Sequence, residues 1–106
     1  MISLEQELEN TMEYILTSTI ALEFIKKSPV TGSYKGMRYR LMKAGDEIEV
    51  CIWPEPYNFI KTADELKQYS RFPLSIEGKD AAVSWLNEQV DQQRALWDTA
   101  LSTSWV

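Results

Sequence analysis

Side-chain catalysis needs groups that move protons or attack carbon, and the inventory of this chain is short. There is no histidine among its 106 residues, which removes the commonest general base, the commonest metal ligand and every triad built on imidazole. The single cysteine, Cys51, becomes a nucleophile only beside an imidazole, a helix amino terminus or a cation. Its expected cross-strand neighbour is Arg38, and a mid-strand thiol without imidazole reads as an inert packing residue. Carboxylates are plentiful. Glu5, Glu9 and Glu13 stand four apart, and Glu88 and Asp91 three apart, so each set shares one face of a helix. Glycosidase chemistry needs two such groups across a cleft with one pKa raised, whereas the polar neighbours here point to solvated faces. A sharper reading is an acidic ridge: Glu5, Glu9 and Glu13 repeat at about 6 Å along a helix, comparable to phosphates along a DNA strand. Asp46-Glu47-Ile48-Glu49 is only a fragment of a calcium loop, and Gly32, Gly36, Gly45 and Gly78 form no phosphate cradle. No metal and no cofactor is expected.

The segment Trp53-Pro54-Glu55-Pro56-Tyr57-Asn58-Phe59 gathers three aromatic residues and two prolines around one acid. Rigid aromatic side chains lose little entropy on binding, so this composition suits an interface hot spot. Trp53, Glu55, Tyr57 and Phe59, with the Glu5, Glu9 and Glu13 edge, are therefore the expected partner-binding residues. The competing use of the loop is a lid folded back on the sheet, because a small domain buries most of its large side chains.

Sixteen acidic against eleven basic residues give a charge of −5 and a pI near 4.7, the wrong sign for direct nucleic-acid binding. The expected partner is a protein with a basic surface, without nucleic acid or membrane. One cysteine cannot close an internal disulfide, which favours a reducing cytoplasm. Neither a secretory leader nor a membrane span is expected in a chain whose apolar runs are only a few residues long.

Something must position these groups. Leu4, Leu8, Met12, Ile15, Thr19 and Leu22 recur at steps of three and four, predicting a helix from Ser3 to about Lys27, stopped by Ser28-Pro29. At about 36 Å this helix would span the domain, so self-association through it is a possible use. Residues 28–36 read as a turn-rich connection. Met37, Tyr39 and Leu41 alternate with arginines, and Ile48, Val50 and Ile52 alternate with Glu47, Glu49 and Cys51. They predict a β-hairpin to Trp53 in which an Ala44-Gly45 loop sets Leu41 against Ile48, Tyr39 against Val50, Met37 against Ile52 and Arg40 against Glu49. Thr62-Ala63-Asp64-Glu65 has the form of a capping box opening a short helix. Tyr69 to Leu74 suits a short third strand. Ser75 caps a last helix carrying Ala82, Trp85, Leu86, Val90, Trp97 and Leu101, through about residue 102. The expected whole is one α+β domain: a long N-terminal helix, a hairpin, the aromatic and proline loop with its short helix, and a long C-terminal helix, both long helices on one sheet face.

The runs Tyr39-Arg40-Leu41-Met42-Lys43 with Gly45-Asp46, Ile52-Trp53-Pro54-Glu55-Pro56-Tyr57, Glu77-Gly78, and Trp85-Leu86-Asn87-Glu88-Gln89 resemble small bacterial and mobile-element proteins with no established activity. The resemblance covers about residues 37–89 and implies a bacterial or phage setting without assigning a role to any residue. Acidity, missing catalytic groups and the aromatic loop together point to a non-enzymatic protein-binding module. Its expected use is as a phage or mobile-element inhibitor of a host nucleic-acid enzyme, of the anti-defence kind, acting by acidic mimicry. The alternative is a structural or regulatory homodimer built on the first helix, and behind both stands a small enzyme using carboxylates.

Overall fold

A computed structural model describes residues 14–55 and 58–103. In chain order it has a 3-10 turn at Thr17–Thr19, helix α1 at Leu22–Lys27, strands β1 at Val30–Tyr34, β2 at Met37–Ala44 and β3 at Glu47–Pro54, a 3-10 turn at Asp64–Leu66, strand β4 at Gln68–Pro73, and helices α2 at Ile76–Gln92 and α3 at Arg94–Thr103. The strands form one antiparallel sheet ordered β1-β2-β3-β4. Met37 and Leu41 of β2 and Ile48, Val50 and Ile52 of β3 form a core with Ala82, Val83, Leu86 and Val90 of α2, Trp97 of α3, and Ile15, Ile20 and Ile25. Both C-terminal helices pack against this sheet.

The expected long N-terminal helix is overturned within the described residues. From Tyr14 to Ala21 the chain bends and makes a single 3-10 turn, and only Leu22–Lys27 is α-helical. The cause lies in Thr17-Ser18-Thr19-Ile20, where β-branched and hydroxyl side chains favour local backbone bonds over helix. Thr19 Oγ1 donates to the Leu16 carbonyl at 2.7 Å. The buried positions are Ile15, Ile20 and Ile25, a spacing of five that no helical stripe produces.

This segment is instead pinned along α2. The Asn87 side chain, 4% exposed, serves both polar groups of the Ile15 backbone: Ile15 N–H donates to Oδ1 at 2.8 Å and Nδ2 donates to the Ile15 carbonyl at 3.0 Å. Lys79 Nζ donates to the Thr17 carbonyl at 2.9 Å and to its hydroxyl at 3.0 Å, and that hydroxyl donates to Asp80 at 2.8 Å. Tyr14 donates to Asp91 at 2.7 Å, with Arg94 on both. These bonds hold both carboxyls below the usual carboxylate range, Asp91 through Tyr14 and then Arg94, Asp80 chiefly through Thr17. The over-long helix that made self-association attractive is therefore not present in residues 14–27.

The hairpin forms in a different register. Gly45-Asp46 is the two-residue turn, and Gly45 has φ +65°, the left-handed first position that a type II′ hairpin turn reserves for glycine. Placing glycine first moves the pairing by two residues. Leu41 faces Val50, Tyr39 faces Ile52, Met37 faces Pro54 and Ile48 faces Lys43; on the other side Arg40 faces Cys51 and Arg38 faces Trp53. A two-residue shift preserves which face each side chain occupies, so the core row survives while every expected partner changes.

Three further expectations are corrected. The connection 28–36 contains β1, whose inward positions are Val30, Gly32 and Tyr34; a glycine at the central inward place hides the alternation. Lys35 and Gly36, at φ 41° and 99°, make the turn to β2 with both residues left-handed, as type I′ requires. A Cβ on Gly36 would also overlap the Trp97 carbonyl, so α3 can approach only a glycine there. Thr62 caps no helix: its hydroxyl and N–H both donate to the Asn58 carbonyl, at 2.7 and 3.1 Å, and the turn that follows starts at Asp64. The last helix is two, broken at Gln93, whose side-chain amide exchanges hydrogen bonds with that of Gln68 in β4 at 2.9 and 3.0 Å. The strand expected at Tyr69–Leu74 is present as β4, and the Ser75 hydroxyl caps α2 by accepting from Gly78 N–H at 3.0 Å.

Replacing Asn87 with Ala leaves one buried donor and one buried acceptor of Ile15 without partners, and is expected to destabilise the fold by about 2–4 kcal/mol. Urea unfolding measures it. Asn87→Asp, which sets a second carboxylate oxygen against the Ile15 carbonyl in a site 4% exposed, is expected to destabilise at least as much as Asn87→Ala at neutral pH and to recover as pH falls and the carboxyl protonates into a donor.

Candidate functional site

Along each strand, side chains alternate between faces. Opposite the core lie Thr31 and Ser33 of β1, Arg38, Arg40 and Met42 of β2, Glu49, Cys51 and Trp53 of β3, and Tyr69 and Arg71 of β4. The loop after β3 folds back over this outer face. Phe59 meets the Trp53 ring edge-on, with centroids 5.5 Å apart at 69°, and lies between two cations: the Arg40 guanidinium 4.1 Å and the Lys67 ammonium 4.0 Å from its centroid. Facing cations favour the negative ring faces. The Asn58 side chain accepts from Lys61 N–H at 2.9 Å and its carbonyl holds Thr62, which gives the loop a fixed base.

Between this loop and strands β1 to β3 lies an open recess of about 540 Å³, lined by Thr31, Ser33, Arg38, Arg40, Trp53, Asn58, Phe59 and Ile60 among others. Its electrostatics follow from the register. On the outer face the acids nearest the hairpin turn, Glu47 and Glu49, both accept from Arg71 of β4, at 3.2 and 2.8 Å. Arg38 and Arg40 consequently have no carboxylate within ion-pair distance among the described residues. Arg38 Nε is buried without a hydrogen-bond partner there, a condition that costs free energy and is uncommon in native proteins. The recess is thus a positive, hydroxyl-edged patch on a chain of net charge −5.

The expected contact residues fall in different places. Trp53 is 3% exposed, so its ring is packing beneath the loop and not an exposed anchor. Phe59 and Glu55 are half-buried, and Phe59 lines the recess. Tyr57, Glu5, Glu9 and Glu13 lie outside the described residues. Sequence reasoning missed Arg38 and Arg40 because the assumed register gave Arg40 to Glu49. It also passed over Ile60, which is 86% exposed at the rim of the recess. Glu49 facing Arg71 was the available signal, but it becomes readable only once β4 is paired to β3.

Cys51 sits opposite Arg40 and not, as expected, Arg38. It is 2% exposed, and burial raises its thiol pKa above the ordinary range, outweighing the lowering by Tyr69, Lys67 and Arg40. A protonated, enclosed thiol is a packing group. Among the described residues no three His, Cys, Asp or Glu side chains cluster closely enough to hold a metal ion, and no helix is long and apolar enough to cross a membrane. No protein-family model matches the chain, and neither a curated protein nor a solved structure matches it.

Two outcomes check this assignment. Trp53→Ala empties a buried indole site and is expected to cost about 3–5 kcal/mol of stability, read by urea unfolding; a loss under about 1 kcal/mol would mark the ring as dispensable packing. For Cys51, the raised native pKa stabilises the fold fully below the unfolded thiol's pKa, and that contribution is lost as pH rises through the native value. Iodoacetamide at pH 8 is expected to alkylate Cys51 far more slowly in the native chain than in urea.

Proposed function

We propose that this chain is a non-enzymatic protein-binding module whose contact surface is the recess over the outer face of the sheet. The observation that carries this reading is the pair Arg38 and Arg40, free of carboxylates among the described residues and set beside the Phe59 ring and the protruding Ile60. Interfaces concentrate binding energy in such groupings, an arginine or aromatic anchor ringed by apolar contact. The contact of Arg40 with Phe59 is to a ring and not to a hydrogen-bond acceptor, so its guanidinium N–H groups keep their capacity for a partner's acceptors.

Asp80 and Asp91, held below the usual carboxylate range, are committed to holding the N-terminal segment, so neither is offered as a general acid. Inhibition of a host nucleic-acid enzyme is a narrower form of this proposal. Acidic mimicry would draw on Glu5, Glu9 and Glu13, whereas the recess calls for acids on the partner.

The double variant Arg40→Glu/Ile60→Asp tests the surface. Immobilised parent chain is expected to retain partner protein from a bacterial lysate after nuclease treatment, and the variant is expected to lose it while staying folded, its unfolding free energy in urea within about 2 kcal/mol of the parent, the scale of the lost Arg40–Phe59 contact. Equal retention by both chains would move the contact surface elsewhere.

A further inference from the structure

Building on the recess as the contact surface, we infer that its occupant is an extended acidic segment of a partner protein, added as a fifth strand along β1 with alternate carboxylates on Arg40 and Arg38. β1 is an outer strand of the sheet, and no described strand pairs with its far side. Its two-residue turn makes Tyr34 and Met37 the hydrogen-bonded closing pair, and bonded pairs then alternate along the ladder. Val30, Gly32 and Tyr34 therefore direct their backbone groups to β2, and Thr31 and Ser33 direct theirs to the open side. Edges left exposed in native proteins are usually blunted by charge, proline or a bulge. The five residues of β1, Val-Thr-Gly-Ser-Tyr, contain none of these, whereas the opposite edge strand carries Arg71 and Pro73 and is packed by α2.

The side chains match the backbone. Thr31 faces Arg40 and Ser33 faces Arg38, so the two edge residues that offer backbone bonds stand in the same rows as the two unpaired arginines. A strand docked on β1 would lie about 4.8 Å from it, with its outward side chains continuing those rows past a threonine and a serine, side chains short enough to reach across. Arginines two residues apart on a strand are about 7 Å apart, the spacing of side chains at positions i and i+2 on a partner strand. Carboxylates at those positions come within reach of both guanidinium groups. Strand addition takes affinity from the main chain and specificity from alternate side chains, and here the specified side chains are acids.

The probe is a synthetic ten-residue peptide of threonine and valine with glutamates at two alternate positions, compared with the same peptide carrying lysines and with inorganic phosphate. Fluorescence anisotropy and NMR amide exchange on the full chain read binding. The acidic peptide is expected to bind at least tenfold tighter than the lysine peptide, to weaken about tenfold or more with Arg38→Ala or Arg40→Ala, and to slow exchange of the Thr31 and Ser33 amides. Thr31→Pro, which removes an edge-facing N–H but no bond to β2, is expected to abolish binding. An acidic peptide N-methylated on its β1-facing amides tests the same bonds without altering the protein. Equal binding of the acidic and lysine peptides, unchanged Thr31 and Ser33 exchange, or full affinity in the N-methylated peptide would overturn strand addition. Phosphate binding as tightly as the peptide and displacing it would make the recess a small-anion site and overturn it as well. If the peptides fail but Arg40→Glu/Ile60→Asp still loses lysate partners, the contact surface stands and only the occupant is wrong; if that variant keeps them, both readings fall.

Discussion

The turn at Gly45-Asp46 governs most of what this sheet presents. With glycine in the first, left-handed position of a two-residue turn, β2 and β3 pair so that Glu49 stands opposite Met42 and is left to Arg71 of β4, while Arg40 stands opposite Cys51. Moving the turn by one residue toward the N-terminus would shift the pairing by two. The same apolar row would stay in the core, yet Arg40 would meet Glu49 and lose its freedom from carboxylates, while Arg38 would meet Cys51. The core is insensitive to this choice because a two-residue shift preserves side-chain parity. Hydrophobic burial selects the face, and the turn selects the partners.

The N-terminal segment shows a different economy of interactions. Residues 14–20 supply Ile15 and Ile20 to the core but make only one 3-10 turn of their own, so most of their backbone polar groups need partners elsewhere. Helix α2 provides some of them with side chains: Asn87 serves both groups of Ile15, and Lys79 serves Thr17. An amide is suited to this role because it offers a donor and an acceptor together. The ammonium of Lys79 lies in a residue only 9% exposed and is hydrogen-bonded to a carbonyl and a hydroxyl, which offsets the cost of taking that charge out of water. An extended segment can therefore cover one side of a helix without joining the sheet.

The loop after β3 performs two tasks at once. Trp53 beneath it is core, and Phe59 above it is held between Arg40 and Lys67, so the aromatic pair closes the outer face of β3 while fixing the edge of the recess. That arrangement also explains the inert thiol. Cys51 lies under the same cover, where desolvation outweighs the lowering influence of Lys67 and Arg40. A domain this small has few ways to cover the second face of its sheet, and a short loop covers the β3 part of it without another helix.

Much of the fold was readable locally. Alternation along Met37–Leu41 and Ile48–Ile52 identified two strands and their buried face; Ser75 with the apolar spacing of Ala82, Leu86 and Val90 identified the start and inner side of α2; and Tyr69 to Leu74 suggested the strand that is β4. Those features depend on neighbours in sequence, and period and capping report them directly. The N-terminal segment misled because Ile15, Thr19 and Leu22 mimic a helical stripe, while the groups that compete with helix, Asn87 and Lys79, lie more than sixty residues away. β1 was hidden by glycine at its central inward position, where Tyr39 takes the space a side chain would fill. Likewise, composition fixed a net charge of −5 and the absence of imidazole, but not where positive charge would stand uncompensated. Only the tertiary arrangement decided that, because register and the pairing of β4 determine which acid reaches which arginine, and local pattern leaves both free.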